Sequence, residues 1–364
     1  MRVAIFSEYY APHRGGVEAR VAGIAEGLVE LGHPVTVYTV GYDPSLSASA
    51  LVHGVWVVRY PAPRYGQPRI GTMRRDPLSV VAFALWCRRQ TRASFDLLIY
   101  EEFPLLHACL APRRARRHAA LDWCEYRTHP LFVMMQKLLP RLFRWNLAVS
   151  DAVANQIAVA SGRAIITLPS GIALRAFHSQ PRSERSGVVY IGRLWPHKNI
   201  PLVVECFEEL CRRGYGGGLS IVGTGPQEEA LRVQIADSPW ADRITMTGEI
   251  DEAAKVNILS RAEVMLLLSS REGFPVTVAE AMASGLPTVT VDLPANGTVS
   301  VIRQYGGGRV AEPVRDAIVD AAQVVLADWD AYSSSCRAAA ATLDWQALLS
   351  SLMTRDLKMG TVAR

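Results

Sequence analysis

The 364-residue sequence has no long hydrophobic run, and none reaches the roughly 18 to 20 apolar residues that a membrane-spanning helix needs. The N-terminal residues MRVAIFSEYY are typical of a buried strand and not of a charged segment leading into an apolar signal. Cysteine is scarce, with six residues and no C-x-x-C pair, which indicates reduced thiols that lie mostly in the core. We therefore expect a cytoplasmic protein, with peripheral contact to the inner membrane face as the one membrane role left open.

Charged residues are also modest in number, at 20%, and apolar residues make up 49%, as in ordinary globular proteins. The charge is unevenly distributed. Residues 1–183 hold 22 Lys and Arg against 12 Asp and Glu, a net of +10, and residues 184–364 hold 17 against 22, a net of −5. A basic N-terminal half favours an anionic membrane or acceptor, and an ordinary solvated arginine-rich surface is the alternative.

Short apolar runs alternate with helical patterns along the whole chain, which predicts an α/β fold with parallel sheets. Because the scheme occurs twice, it predicts two doubly wound, Rossmann-like domains that face each other across a cleft. We place them at 1–180 and 181–343, joined by the polar stretch 179–187, with a terminal helix in 344–364. The predicted strands are 2–7, 35–40, 55–60, 96–100, 146–150 and 164–169, then 187–192, 219–223, 243–248, 264–269 and 287–292.

Two glycines, Gly15 and Gly16, follow the first predicted strand at the opening of a helix. Glycine allows backbone N–H groups to approach a ligand closely, and a helix N-terminus favours anions. An ordinary turn explains the pair equally well when it is taken alone.

Two cations, Arg193 and Lys198, follow the first strand of the second half, before a helix that begins near residue 199. Such a pair at the carboxyl end of a strand suits a diphosphate, which arginine binds bidentately and lysine as a point charge. The alternative is a surface ion pair with the acidic helix residues Glu205, Glu208 and Glu209.

A glycine turn, Gly223-Thr224-Gly225-Pro226, joins the next strand to its helix. It resembles a dinucleotide turn but lacks the third glycine and the acid about 20 residues further on, which argues against a dehydrogenase. Tight packing between strand and helix is an equally good explanation of the two glycines.

The stretch SREGFPVTVAEAMASG, 269–284, holds two carboxylates around a proline. We predict that Pro275 is the first residue of a helix that ends before Gly285, so that Glu272 lies on the loop and Glu280 inside the helix. The N–H groups near Phe274, Pro275 and Val276 would face an anion. Glu280 belongs to a face that looks packed, where an unpartnered carboxylate would be costly.

Taken together, these motifs resemble the family 4 retaining glycosyltransferases in order and spacing. The resemblance rests on Gly15-Gly16, Arg193 with Lys198, Gly223-x-Gly225-Pro226, and Glu272-x7-Glu280 with Glu-Ala-Met-Ala-Ser-Gly-Leu-Pro, and is densest from about 187 to 313. It implies the GT-B fold, with an N-terminal acceptor domain, a C-terminal donor domain and a terminal helix that crosses back to the N-terminal domain.

The resemblance also implies a donor, a mechanism and residue roles. The donor would be a nucleotide-diphospho-sugar, a UDP- or GDP-sugar first, held without a metal or other cofactor. The departing phosphate would itself accept the acceptor's proton in a front-face attack. The resemblance implies that Arg193 and Lys198 bind the diphosphate, together with the backbone of Gly15-Gly16. Gly223 would belong to the turn that contacts the donor, Glu272 would bind the sugar hydroxyls, and the N–H groups of Phe274 to Val276 would face the anion. Glu280 would bind the ribose hydroxyls, and Glu249 and Ile250 would lie near the base.

The sequence departs from the family pattern on the acceptor side. Asp122 stands where many members carry a histidine near the transferred sugar, and we carry it as a catalytic candidate. The neighbouring loops hold Glu101, Glu102 and Glu125, which favours a hydroxyl-rich or amine-bearing acceptor. The stretch 131–145 is basic and apolar, and it is explained either by packing on the sheet or by docking on anionic lipid.

The predicted function is hexosyl transfer to a hydroxyl of a glycan, a lipid-linked acceptor or a natural product, with no nucleic acid partner. Two alternatives stay open. One is a nucleotide-sugar sensor that kept the donor site and lost turnover, which the altered Asp122 region favours. The other is a different GT-B enzyme, such as a nucleotide-sugar epimerase.

Overall fold

The computed structural model describes residues 1–13, 15–62 and 76–357. Arg14 of the glycine turn, and Lys358 and Met359 of the predicted terminal helix, lie outside the described residues. The strands are β1 Val3–Phe6, β2 Val35–Gly41, β3 Ser49–Val52, β4 Val55–Pro61, β5 Leu97–Glu101, β6 Ala119–Trp123, β7 Trp145–Ala148, β8 Ile166–Thr167, β9 Val188–Ile191, β10 Leu219–Val222, β11 Ile244–Gly248, β12 Val264–Leu267, β13 Thr288–Val291 and β14 Gly308–Ala311. The helices are α1 Gly16–Glu30, α2 Pro77–Gln90, α3 Leu105–Cys109, α4 Arg113–Arg116, α5 Pro130–Leu138, α6 Asp151–Ser161, α7 Ile200–Arg212, α8 Glu228–Ala236, α9 Glu252–Arg261, α10 Val276–Ala283, α11 Gly297–Tyr305, α12 Arg315–Ala327, α13 Trp329–Thr342 and α14 Trp345–Ser351.

The chain divides into two units. Unit 1 comprises Met1–Gly171 and Trp345–Arg364, and unit 2 comprises Ile172–Asp344. The division falls before the predicted boundary at residue 180, because the segment that follows Gly171 bonds inside unit 2. Ile172 N donates to Leu343 O at 2.9 Å, and the buried Arg185 donates to Ala262 O at 2.8 Å.

Unit 1 is built on an eight-stranded sheet in the order β3-β4-β2-β1-β5-β6-β7-β8. The strands are parallel except at the β3 edge, where Ser49–Val52 pairs antiparallel with β4. That strand was not predicted. A tight turn joins the two strands, with His53 at φ +47° and Gly54 at φ +81°. The four residues of β3, Ser-Ala-Leu-Val, alternate between exposed and half-buried and are too few for the continuous apolar run that marks the buried strands.

Two layers of helices cover this sheet. Right-handed crossovers place α1 on one face and α2 to α6 on the other. The face with α1 is completed by α14 from the end of the chain, because Gly23 and Gly27 leave room for Trp345 and Leu349. Both of these side chains are buried.

Unit 2 is built on a six-stranded sheet in the order β11-β10-β9-β12-β13-β14, and all of its strand pairs are parallel. Its Val, Ile and Leu runs are buried on both faces, as expected for parallel strands between helices. β14 was not predicted from the sequence. Within residues 1–13, 15–62 and 76–357, no helix combines the length and apolar character needed to cross a bilayer.

Each sheet has a point where the crossovers change direction. In unit 1 it lies between β1 and β5, and in unit 2 between β9 and β12. Ligands of open α/β sheets bind outside the carboxyl ends of the strands at such a point. The loops after these four strands carry most of the predicted site residues.

Candidate active site

The loop after β9 presents Arg193 and Lys198 at the switch point of unit 2. Its backbone rests on the glycine turn after β10, because a Cβ on Gly223 would overlap Gly192 O and one on Gly225 would lie 2.5 Å from Leu194 O. Gly223 also has φ +131°, a backbone conformation that favours glycine. The glycine turn therefore supports the Arg193 loop by close packing.

Lys198 forms an ion pair with Glu272, the residue predicted to hold the transferred sugar. Both side chains are largely buried, at 13% and 12% exposure. The alternative partners suggested by the sequence are otherwise engaged, since Glu208 and Glu209 pair with Arg212 and Arg213. The surface-pair explanation is therefore wrong for Lys198.

Hydrogen bonds bring the two loops that carry this pair together. Ser270 N donates to His197 O at 2.8 Å, which joins the Lys198 loop to the loop after β12. Ser269, fully buried at the end of β12, donates from Oγ to Glu272 Oε1 at 2.7 Å. The sequence did not single out Ser269, and its position at a strand end beside an acid is the signal that could have found it.

A second loop, after β13, holds the Glu272 backbone from the other side. Glu272 N donates to Ala295 O at 3.0 Å, and Gly297 N donates to Glu272 O at 3.0 Å. The buried Asn296 fixes this loop, donating to Val291 O at 2.9 Å and accepting from Thr298 N at 3.1 Å. Glu272 therefore sits on a main chain that is bonded on both sides.

The helix α10 begins one residue later than predicted. Pro275 is the N-cap and not the first helical residue, and the helix runs Val276–Ala283 before Ser284 and Gly285, which has φ +64°. Phe274 packs against the core beside it. The first-turn N–H groups of a helix have no partner inside it, so this end of α10 can receive an anion.

Glu280 lies inside α10, buried as predicted, and is partnered by a residue that the sequence did not indicate. Lys255 Nζ on α9 lies 2.7 Å from Glu280 Oε1 and 2.8 Å from Glu252 Oε2. Burial raises the pKa of Glu280, and the lysine opposes that shift. Burial alone would lower the pKa of Lys255, but the two carboxylates raise it.

Glu249 and Ile250 form the connection from β11 to α9. Glu249 is exposed and Ile250 packs partly against the core. Asp251 then caps the helix, accepting from Ala254 N at 2.7 Å, which fixes where Lys255 falls. Glu249 and Ile250, which are predicted to lie near the base, thus precede Lys255, the residue that pairs with Glu280, by about one helical turn.

In unit 1, α1 begins at Gly16, as the Gly15-Gly16 pair predicted. Apart from its chain neighbours and the backbone of its own helix, no atom of the described residues would lie within 4 Å of a Cβ on Gly16, so these residues leave open space beside it. Glu18 Oε1, in the first turn, lies 3.1 Å from His13 Nδ1.

Asp122 is fully buried at the end of β6 and forms a bidentate ion pair. Arg20 of α1 donates to its two carboxylate oxygens from Nε and Nη2, both at 2.8 Å. Each side chain is 1% exposed. Arg20 Nη1 also lies 3.4 Å from Ser170 Oγ. The sequence did not indicate Arg20, which is 102 residues from Asp122.

Glu101 is the last residue of β5 and Glu102 follows it, and both are also buried, at 1% and 3% exposure. Burial raises the pKa of both, with Glu102 at about 8. Glu102 accepts from Cys124 N at 2.7 Å, and Glu125 pairs with Arg127. Burial of Glu101 and Glu102, and the pairing of Asp122 and Glu125 with arginines, reduce the free negative charge of these loops. The preference for a hydroxyl-rich or amine-bearing acceptor stays a prediction.

Sequence profiles of two families match adjacent parts of the chain. The profile described as Glycosyltransferase Family 4 matches residues 14–175, and the one described as Glycosyl transferases group 1 matches residues 175–342. The chain belongs to the family 4 glycosyltransferases. Its two parallel-sheet units are the domains of the GT-B fold, and it is a hexosyltransferase by family.

Relatives and solved structures match this glycosyltransferase over nearly its whole length. The phosphatidylinositol N-acetylglucosaminyltransferase gpi3 subunit of Schizosaccharomyces pombe is 22% identical over 89% of the chain and 72% of that protein. A GDP-mannose-dependent phosphatidylinositol dimannoside mannosyltransferase of Mycobacterium tuberculosis is 23% identical over 97% and 95%. The structure of sucrose-phosphate synthase from Thermosynechococcus elongatus superposes with a TM-score of 0.77 at 19% identity, covering 98% and 99%.

Two further features of the glycosyltransferase concern histidines and metals. His107 is fully buried, with Nε2 3.2 Å from Phe6 O, and burial lowers its pKa to about 4. His118 and His129 are exposed. Over the described ranges, no group of three or more His, Cys, Asp or Glu side chains could hold a metal ion.

Proposed function

We propose that this glycosyltransferase transfers a hexosyl unit, with retention at the anomeric carbon and without a metal, from a UDP- or GDP-sugar to a hydroxyl acceptor. The observation that carries the proposal is the group of Ser269, Lys198 and Glu272 at the switch point of unit 2. Three polar side chains, held at low exposure by bonded loops, form an arrangement suited to a sugar and its leaving phosphate.

Glu272 is the residue proposed to hold the sugar. Ser269 and Lys198 both contact Oε1, which leaves Oε2 to accept from a sugar hydroxyl. A carboxylate oxygen that accepts from a hydroxyl forms a charge-assisted bond, stronger than a neutral one. Because Ser269 orients the carboxylate of Glu272, this bond would select a sugar hydroxyl at one particular position.

Arg193 and Lys198 are proposed to stabilise the leaving diphosphate as charge develops on it. The guanidinium of Arg193 lies 5.8 Å from the centre of the Trp195 ring, and no acidic side chain among the described residues forms an ion pair with it. Lys198 would exchange its contact with Glu272 for one shared with the phosphate. The N-terminus of α10 at Phe274, Pro275 and Val276, together with the turn at Gly223, would complete the anion site.

Glu280 is proposed to accept from the ribose hydroxyls, with the base near Glu249 and Ile250. Lys255 keeps the buried carboxylate charged and oriented, since an unpaired buried carboxylate tends to take up a proton. In unit 1, the open space beside Gly16 suits a backbone contact to an anion, with Gly15 as the helix cap.

Asp122 enters the proposal as a positioning residue, because both of its oxygens already accept from Arg20. The departing phosphate would then take the acceptor's proton, in keeping with front-face attack. We propose a lipid-linked or glycan hydroxyl as acceptor. Phosphatidylinositol and phosphatidylinositol dimannoside are tested first, because the two named relatives are a phosphatidylinositol N-acetylglucosaminyltransferase and a phosphatidylinositol dimannoside mannosyltransferase. All six cysteines are free thiols, which suits a cytoplasmic location.

The proposal is tested by combining donor binding with turnover. A thermal-shift panel of UDP-, GDP-, ADP- and TDP-sugars identifies the donor, since a ligand of the native state raises the melting temperature. Transfer and donor hydrolysis are then measured for wild type, Lys198→Ala, Glu272→Gln and the exposed control Arg232→Ala. We expect the two site variants to lose about a hundredfold in turnover, as when one transition-state donor is removed, and the control to match wild type.

A second candidate, a nucleotide-sugar sensor, is favoured by the aspartate that stands in place of the family histidine and is fully paired with Arg20. It predicts a thermal shift with one sugar nucleotide, weakened by Lys198→Ala, and neither transfer nor hydrolysis by the wild type. That outcome would replace the transferase proposal. No thermal shift with any sugar nucleotide would overturn both.

A further inference from the structure

The helix α5 and the turn after it expose a row of apolar side chains. Leu131, Met134, Leu138 and Leu142 are 53%, 46%, 45% and 47% exposed. The spacing of Leu131, Met134 and Leu138 places them on one face of α5, and Leu142 follows the 3-10 turn of residues 139–141. Packing on the sheet, one of the two explanations from sequence, does not account for these exposed side chains.

A cavity of about 550 Å³ lies at one end of this row. It occupies the amino-terminal edge of the sheet, because Arg117 and His118 immediately precede β6 and Arg144 immediately precedes β7. Asp122 and Glu102 lie at the opposite, carboxyl edge, where the proposed reaction belongs. The cavity is lined by Arg113, Arg116, Arg117, His118, Leu142, Phe143 and Arg144.

Positive charge around the cavity is not compensated by its lining. Four of the seven lining residues are arginines, Arg113, Arg116, Arg117 and Arg144, and none of the seven is acidic. Burial lowers the pKa of Arg116, and the charges of Arg113 and Arg88 act in the same direction.

Leu142 connects the two features, since it lines the cavity and ends the apolar row. A second apolar row lies on α2, which shares the same face of the sheet. Leu78, Val81 and Leu85 are 79%, 44% and 46% exposed, at helical spacing. The last turn of α2 carries Arg88, whose Nη1 lies 3.4 Å from Leu110 O. Arginine thus follows apolar residues on both helices.

We propose that this face of unit 1 docks on a bilayer that contains anionic phospholipid. The arginine cavity takes a lipid phosphate, and Leu131, Met134, Leu138 and Leu142 enter the acyl boundary. A free phosphate would use the cavity but not the apolar rows, and a membrane uses both. The surface lies within unit 1, and its binding is measured without donor or acceptor, so it stands or fails separately from the transferase proposal.

The test is sedimentation of the full chain with vesicles of phosphatidylcholine alone or with 30 mol% phosphatidylglycerol. We expect binding only to the anionic vesicles, falling as salt rises. Arg113→Glu with Arg117→Glu should reduce partitioning more than about 25-fold, at roughly fivefold for each basic residue near an anionic surface. Met134→Ser with Leu138→Ser should reduce it about tenfold, and circular dichroism should show that each variant is folded.

Matched controls in unit 2 separate this surface from total charge. Arg232→Glu with Arg261→Glu changes the net charge equally, and Val233→Ser removes an exposed apolar side chain. Both should bind like wild type, and equal losses in the controls would overturn the proposal. So would a phosphate-induced thermal shift without vesicle binding, or a dimer in solution that Leu138→Ser dissolves.

Discussion

At the scale of single residues, several carboxylates of this glycosyltransferase are buried, and most of them form an ion pair. Asp122, Glu272 and Glu280 are each paired with a cation from another element. Breaking such a pair typically costs about 3 to 5 kcal/mol, because the remaining charge is left buried. Glu102 is different, since its partners are the backbone N–H groups of Cys124 and Glu125.

Glu102 makes the stability of unit 1 depend on pH. Burial raises its pKa to about 8 from the model-peptide 4.5. Between these values the folded chain binds one more proton than the unfolded chain, so the free energy of unfolding falls as pH rises from about 4.5 to 8. Glu102→Gln should make that slope shallower by up to about 1.4 kcal/mol per pH unit.

Urea unfolding from pH 4.5 to 8, followed on wild type and Glu102→Gln, measures the difference. The m-value should not change between the two, which shows that the variant alters stability and not the unfolded state. If the free energies of unfolding of wild type and Glu102→Gln changed with pH in parallel, the assignment of the raised pKa to Glu102 would be contradicted.

At the scale of elements, glycines decide which surfaces can meet. Gly223 lets the turn after β10 support the Arg193 loop, and Gly23 and Gly27 let α14 lie against α1. In the helix interior glycine costs about 1 kcal/mol relative to alanine, so its presence in α1 is explained by the packing.

The contact between Gly23 and Trp345 can be tested with Gly23→Ala, whose effect on stability should change sign when Trp345 is replaced. A Cβ on Gly23 would overlap the indole of Trp345. Gly23→Ala should therefore destabilise unit 1 by about 1 to 3 kcal/mol through overpacking. In a Trp345→Ala background the same change should stabilise by up to about 1 kcal/mol, because only helix propensity remains.

Thermal and urea unfolding of wild type, the two single variants and the double variant form a double-mutant cycle that measures the coupling between Gly23 and Trp345. A substitution at Gly23 that destabilises equally in both backgrounds would show that the indole does not cause the effect.

At the scale of the whole molecule, the chain closes unit 1 with residues from its far end. Trp345, Leu349, Leu352, Met353 and Leu357 are all buried in that unit's core. Unit 2, by contrast, is one continuous segment from Ile172 to Asp344.

Removal of residues 345–364 should therefore weaken unit 1 and leave unit 2 folded. Each of the five buried side chains stabilises by about 1.5 to 3 kcal/mol, so the loss should exceed the marginal stability of unit 1. Hydrogen exchange should show lost protection in α1 of the truncated chain. The separate fragment 172–344 should unfold cooperatively, and a truncated chain with protected α1 would contradict this view.

The sequence by itself determined the strand and helix alternation, the glycine turns and the positions of Glu272 and Glu280, because these depend on local periodicity and on stop signals such as Gly285. It missed β3 and β14, whose residues are partly exposed and lack a continuous apolar run. It also missed β6, which is fully buried but holds two alanines and an aspartate among its five residues. It also placed Pro275 inside the helix, because proline suits both the cap and the first turn.

Only the tertiary structure decided the partners. Lys255 reaches Glu280 because α9 and α10 lie side by side. Arg20 of α1, the helix that follows β1, reaches Asp122 of β6, which is two strands from β1 in the sheet order. Lys198 meets Glu272 because Ser270 bonds to the backbone of His197. No local pattern encodes a contact across 25 to 102 residues. Such contacts follow from strand order, which brings the carboxyl ends of distant strands to one edge of a sheet.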